Sequence, residues 1–180
     1  MDSRLQEGFN VGERQRVALQ SKVPTWNEMQ LNWTPTPATR SIRHIVEHLV
    51  LSSEMVGRPR EAASVKNEAW MFRLVPRAWR RAWVLRALNA GIALPLPSPG
   101  LEPSGKVPMS ELMVRWDAAR EVMRRSLDDL SWDATPYSHP VLGPLTGGQM
   151  LTLDQTHTAY HTRQIEALQR DPAFPPASMP

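Results

Sequence analysis

From Gln149 to Arg170 the chain reads QMLTLDQTHTAYHTRQIEALQR, with no Pro and no Gly, directly after the Gly147-Gly148 pair. A stretch of this length, bounded in this way, predicts one helix of about six turns. At about 100° per residue, Met150, Leu153, Tyr160, Ile165 and Leu168 fall on one side. His157 and His161 fall near the middle of that side, and Thr152, Thr162, Glu166 and Gln169 lie mostly opposite. Imidazole nitrogens are costly to bury without partners, so two of them on an apolar face require a reason. Spacing of i, i+4 puts both rings on one face, one turn apart, within reach of one metal ion. The same pair is also compatible with two core histidines bonded to polar neighbours.

Composition narrows the options. With no Cys, the chain can make no disulfide, thiolate metal site or Cys nucleophile, so any metal falls to His, Asp or Glu. A cytoplasmic location is the corresponding default. No apolar run approaches the roughly 20 residues of a membrane span. The start, MDSRLQEGFN, lacks a basic region followed by an apolar one, so a secretory signal peptide is not expected. At 180 residues, one domain over 1–170 with a Pro-rich tail at 171–180 is expected. The net charge of +3 is uneven, because residues 58–86 hold eight Lys/Arg against two Glu.

Four main helices are expected. Residues 1–32 carry loose helical spacing through Leu5, Phe9, Val17, Val23, Trp26 and Met29, with Gly12 and Pro24 as interruptions. Ser41 to about Val56 forms the second, capped by the Ser41 hydroxyl, with Ile42, Ile45, Val46 and Leu49 as its apolar face. His48 sits at the edge of that face and His44 towards solvent. Residues 60–90 read as irregular chain, then helix from about Lys66 to Ala90, interrupted at Pro76. Here Trp70, Trp79 and Trp83 interleave with Arg73, Arg77, Arg80, Arg81 and Arg86. Such a mixture suits nucleic acid or an anionic membrane, or else a surface helix with Trp inward and Arg outward. No recognised nucleic-acid motif accompanies it. Residues 91–108 hold five Pro and three Gly and predict a turn-rich crossover or cover. Ser110 to Leu130 is the third strong helix, with Ser110 as its cap and Leu112, Met113, Trp116, Val122, Met123 and Leu127 in its stripe. Asp133 to Gly148 is a connection before the final helix. No alternating strand pattern appears. The class is all-α: a four-helix bundle with a long, partly helical insert at 58–107 between the second and third main helices.

Three pieces, SIRHIVEHLVLSSE, HPVLGPLTGGQML and HTAYHTRQI, in this order and at these separations, resemble the DinB-like family of small four-helix-bundle proteins over roughly residues 5–170. In that family one His of the second helix and an HxxxH pair of the last bind a divalent metal. The resemblance therefore implies His48, His157 and His161 as ligands, while His44 has no counterpart. Two departures stand out: Arg40 precedes the capping Ser where relatives commonly carry Trp, and the 58–107 insert is long.

A three-His site with an open position is the catalytic type of zinc site. Zinc there can lower the pKa of bound water, polarise a carbonyl or hold a thiol as thiolate. Imidazole also suits nickel, iron or copper. Asp154, one turn before His157, and Gln164, one turn after His161, are candidates to orient the ligands. Tyr160 is a candidate donor to substrate or a core residue. The resemblance implies a metal-dependent transferase or hydrolase acting on a small molecule, with a low-molecular-weight thiol as candidate partner and a homodimer as candidate assembly. Specific nucleic-acid binding is not expected from it. Two alternatives stay open: a non-enzymatic binding module using residues 70–86, and a bundle whose metal is structural.

Overall fold

A computed structural model describes residues 1–57, 76–92, 101–135, 137–139 and 142–177. The fold is all-α. Helices α1 (Ser3–Gln20), α2 (Glu28–Asn32), α3 (Ile42–Gly57), α4 (Arg77–Asn89), α5 (Met109–Leu127) and α6 (Gly147–Gln169) occur in that order. A short hairpin, β1 (Tyr137–His139) and β2 (Gly143–Leu145), pairs antiparallel just before α6 with Tyr137 opposite Leu145. The α3 helix packs along α5, α1 along α6, and α6 also meets α3 and α4.

Of the two interruptions, Gly12 leaves the helix intact and the break falls near Pro24, as expected. Asp2 caps α1 by accepting from the Arg4 N–H, and the helix runs unbroken to Gln20. Gly12 is there for space: a Cβ at that position would lie 2.9 Å from Asp154 Oδ2 and 3.1 Å from an Arg120 nitrogen. The break is the 3-10 turn Val23–Thr25, where Pro24 cannot donate to a continuing helix. Ser41, fully buried, starts α3: its carbonyl accepts from Ile45 and its hydroxyl lies 3.4 Å from the His44 N–H. Pro108, not Ser110, is the capping residue of α5.

The last helix starts two residues before its expected position. Thr146 and Gln149 form a capping box, each side chain accepting from the other's backbone N–H, so the two glycines lie in the first turn. Gly148 is required by close packing, since a Cβ there would sit 2.2 Å from the Trp132 ring. Gly148→Ala is expected to cost about 1–3 kcal/mol through overpacking, readable as a lowered urea midpoint. An unchanged midpoint would mean that Trp132 swings aside freely.

Two apolar clusters make up the core. One gathers Leu5, Phe9, Met123, Leu127, Met150 and Leu151; the other gathers Leu19, Ile45, Leu49, Leu112, Trp116, Ile165 and Leu168. Along α1, α5 and α6, polar side chains are set among the apolar residues of the two clusters. They include Glu13 on α1, Arg120 on α5, and Asp154, His157 and His161 on α6. Arg120 is 3% exposed and reaches Glu13 at 2.5 Å and Asp154 at 2.8 Å, with its guanidinium over the Phe9 ring.

The Pro-rich tail is docked as far as the structure describes it. Phe174 packs edge-on against Trp33, and the carbonyls of Pro175 and Pro176 accept from Gln30 and Asn27. Apolar burial and backbone pairing together outweigh the tail's unfavourable composition.

Candidate metal centre

Helix α3 carries His48 and helix α6 carries His157 and His161. The α3–α6 contact brings them together, so that one nitrogen from each of the three lies within 4.8 Å of the others. His157 Nε2 is 3.2 Å from His48 Nε2 and 3.0 Å from His161 Nε2. Two zinc–nitrogen bonds of about 2.0–2.1 Å at a tetrahedral angle span about 3.3 Å, so this spacing fits a shared ion.

The outer nitrogens fix the tautomers. His48 Nδ1 lies 3.0 Å from the Leu101 carbonyl, which can only accept, so Nδ1 carries the proton and Nε2 a lone pair. His161 Nδ1 likewise donates to Gln164 Oε1 at 2.7 Å. The Gln164 amide is itself oriented, because its Nε2 donates to Tyr160 Oη at 2.8 Å. Two lone pairs therefore converge on His157 Nε2. A proton there can satisfy one of them well; a cation can satisfy all three nitrogens. The donor set fits a divalent ion, and the group could hold one.

All three imidazoles are held neutral. Burial depresses His48, and the positive charge of Arg40 adds to this against the opposing bond to Leu101. Burial puts His157 well below its ordinary value, helped by His161, His48 and His139. Burial chiefly brings His161 to about 3. Neutral imidazole is the form that binds metal.

The trio opens into a cavity of about 1030 Å³. Apolar residues from α3, α4, the 101–107 segment and α6 form much of its wall, and Arg40, Glu102, His139, Asp154, Tyr160 and Gln164 are among its polar residues. His139 lines the same cavity from β1, and its Nδ1 accepts from the Leu142 N–H. Burial lowers its pKa to about 4. His44 does not join the trio: it turns to Ser41, 2.7 Å away, and abuts Gly105. Asp154 is tied to Arg120 at 2.8 Å.

Sequence reading missed the way the 101–107 segment is held. Glu47, buried on α3, accepts from the Ser104 hydroxyl at 2.9 Å and the Gly105 N–H at 2.7 Å. Burial pushes this carboxyl up, but the bonds from Ser104 and Gly105 outweigh it and the net displacement is downward. These bonds carry the Leu101 carbonyl to His48. A Glu between Val46 and the candidate ligand His48, beside the apolar face of the helix, was the available signal; a backbone acceptor leaves none.

The basic Trp/Arg segment runs opposite to the inward-Trp reading. Trp79 and Trp83 of α4 are exposed, while Arg80 is buried. Trp70, Arg73 and the expected helix start at Lys66 lie outside the described residues, and α4 begins directly after Pro76. Among the described residues, no helix is long and apolar enough to cross a membrane.

Neutral buried imidazoles make the metal-free protein pH-sensitive. Their folded pKa values lie below the unfolded value of about 6.5, so the stabilising contribution is complete above it. It is lost as pH falls towards about 4 for His139 and about 3 for His161, because the unfolded chain takes up protons first. The metal-free Tm is expected to fall steadily between pH 6.5 and 4.5, and less steeply in His139→Gln. A Tm that stays level over this range would refute it.

No curated protein and no solved structure matches this chain. The family model described as the DinB superfamily matches residues 12–165, a span that contains all three histidines of the centre. With the helical fold and the convergent His48, His157 and His161 beside that match, the chain belongs to the DinB superfamily.

Proposed function

We propose that this protein is a metal-dependent enzyme of the transferase or hydrolase type, with His48, His157 and His161 as ligands to a divalent ion. The observation that carries the reading is the convergence of three Nε2 atoms, two of them oriented by outer hydrogen bonds, at the wall of a large cavity. Three protein ligands leave a coordination position for water or substrate. A bound divalent ion there would supply Lewis acidity to activate water or a small thiol.

The protein's own groups do the positioning. Leu101 and Gln164 hold two rings with their lone pairs inward. Tyr160, whose oxygen accepts from Gln164, keeps its own O–H proton for a bound ligand. The apolar wall excludes water from the reacting end, where polar interactions then strengthen. On this reading residues 1–170 act as one domain, with the long helices as a four-helix bundle around the site.

A cobalt(II)-substituted protein tests the open position. Its visible spectrum is expected to change on adding azide or 2-mercaptoethanol, as an exogenous ligand enters. A spectrum indifferent to both would indicate a closed, structural ion and would sink the catalytic reading.

A further inference from the structure

We propose that the cavity takes a ligand with an apolar body and a carboxylate, and that Arg40 is the residue that selects the carboxylate. This names the ligand class of the same cavity and rests on reading it as a substrate site. Arg40 lines the cavity together with the three histidines. It immediately precedes the fully buried Ser41 at the start of α3, so its backbone is fixed while its guanidinium remains exposed. Among the described residues, the structure shows no carboxylate paired with Arg40. The same lining supplies the apolar body's complement, through Met55, Val56, Val84, Leu88, Met150 and Leu153.

Asp154 is neutralised by Arg120. Glu102 and Asp171 also line the cavity, so the preference for a carboxylate rests on direct pairing with the Arg40 guanidinium and not on the net charge of the wall. A planar guanidinium offers a carboxylate two parallel N–H donors, and a low-dielectric wall strengthens that bond. The exposed rim limits the gain to about tenfold in affinity rather than hundredfold.

The test uses the full chain, as purified and after chelator treatment, with octanoate, 1-octanol and octylammonium as probes in calorimetric titrations. Octanoate is expected to bind about tenfold more tightly than either of the others, in both preparations. Arg40→Gln should abolish that preference while leaving 1-octanol binding and metal content unchanged, and Arg40→Lys should retain part of it. Equal affinity for octanoate and 1-octanol overturns the proposal, as does a preference that survives Arg40→Gln. A preference that vanishes on chelation also overturns it, because the carboxylate would then have been held by the ion. Absence of metal with an intact, Arg40-dependent preference would sink the metal reading alone.

Discussion

His157→Ala is expected to bring bound transition metal from roughly one equivalent per chain to nearly none, as measured by elemental analysis of untagged protein. The position is the most severe of the three for a geometric reason. His157 Nε2 lies within 3.2 Å of His48 Nε2 and 3.0 Å of His161 Nε2, and it completes the set of three. Without it, two nitrogens remain, and among the described residues no carboxylate groups with them at metal-binding distance. Loss of an outer partner typically weakens metal binding about 10–100-fold, and loss of a ligand should exceed that. Gln164→Leu should therefore fall between wild type and His157→Ala. Metal retained in His157→Ala would reject the site. No metal in wild type, even after reconstitution, would leave three histidines that merely fill the core.

The second large effect is on stability. Arg120→Met is expected to destabilise the protein by about 3–5 kcal/mol, seen as a fall in the urea midpoint with the slope preserved. The side chain is 4% exposed and ties Glu13 of α1 to Asp154 of α6 from its place on α5. Removing it leaves Asp154 without its cation and Glu13 with Arg16 alone, at a position where Gly12 already brings the backbone close. Out of a typical total of about 5–15 kcal/mol, such a loss is severe. The triple variant Glu13→Gln, Arg120→Met, Asp154→Asn should recover much of it, because the uncompensated charges go with the cation. A loss under about 1 kcal/mol for Arg120→Met alone would mean that water reaches the cluster freely.

Both effects concern polar side chains set among the two apolar clusters, and the sequence disclosed them unequally. His157 and His161 were legible because helical periodicity puts i and i+4 on one face of a single element. Arg120 was not, because its partners lie on two other helices, 107 and 34 residues away in the chain. The start of α6 was misplaced for a related reason. A Gly-Gly pair reads locally as a helix break, and only the Trp132 ring packed over Gly148 shows it to be the first turn of the helix. The wheel of α6 also omitted Leu151, which is buried against Gly8 of α1 because this helix is covered on more than one side.

The sequence by itself determined the all-α class, the approximate extent of the long helices and the HxxxH pair. Those depend on the spacing of apolar residues and on Pro and Gly, which act within a few residues of chain. The tertiary structure decided what those local rules cannot reach. It set His48 against the pair, brought the Leu101 carbonyl to its Nδ1 through Glu47 and the 101–107 segment, turned Trp79 and Trp83 outward, and opened the cavity between Arg40 and the histidines. The reason is physical: tautomer, charge state and access at a buried site are fixed by partners distant in sequence, and only packing brings those partners within bonding distance.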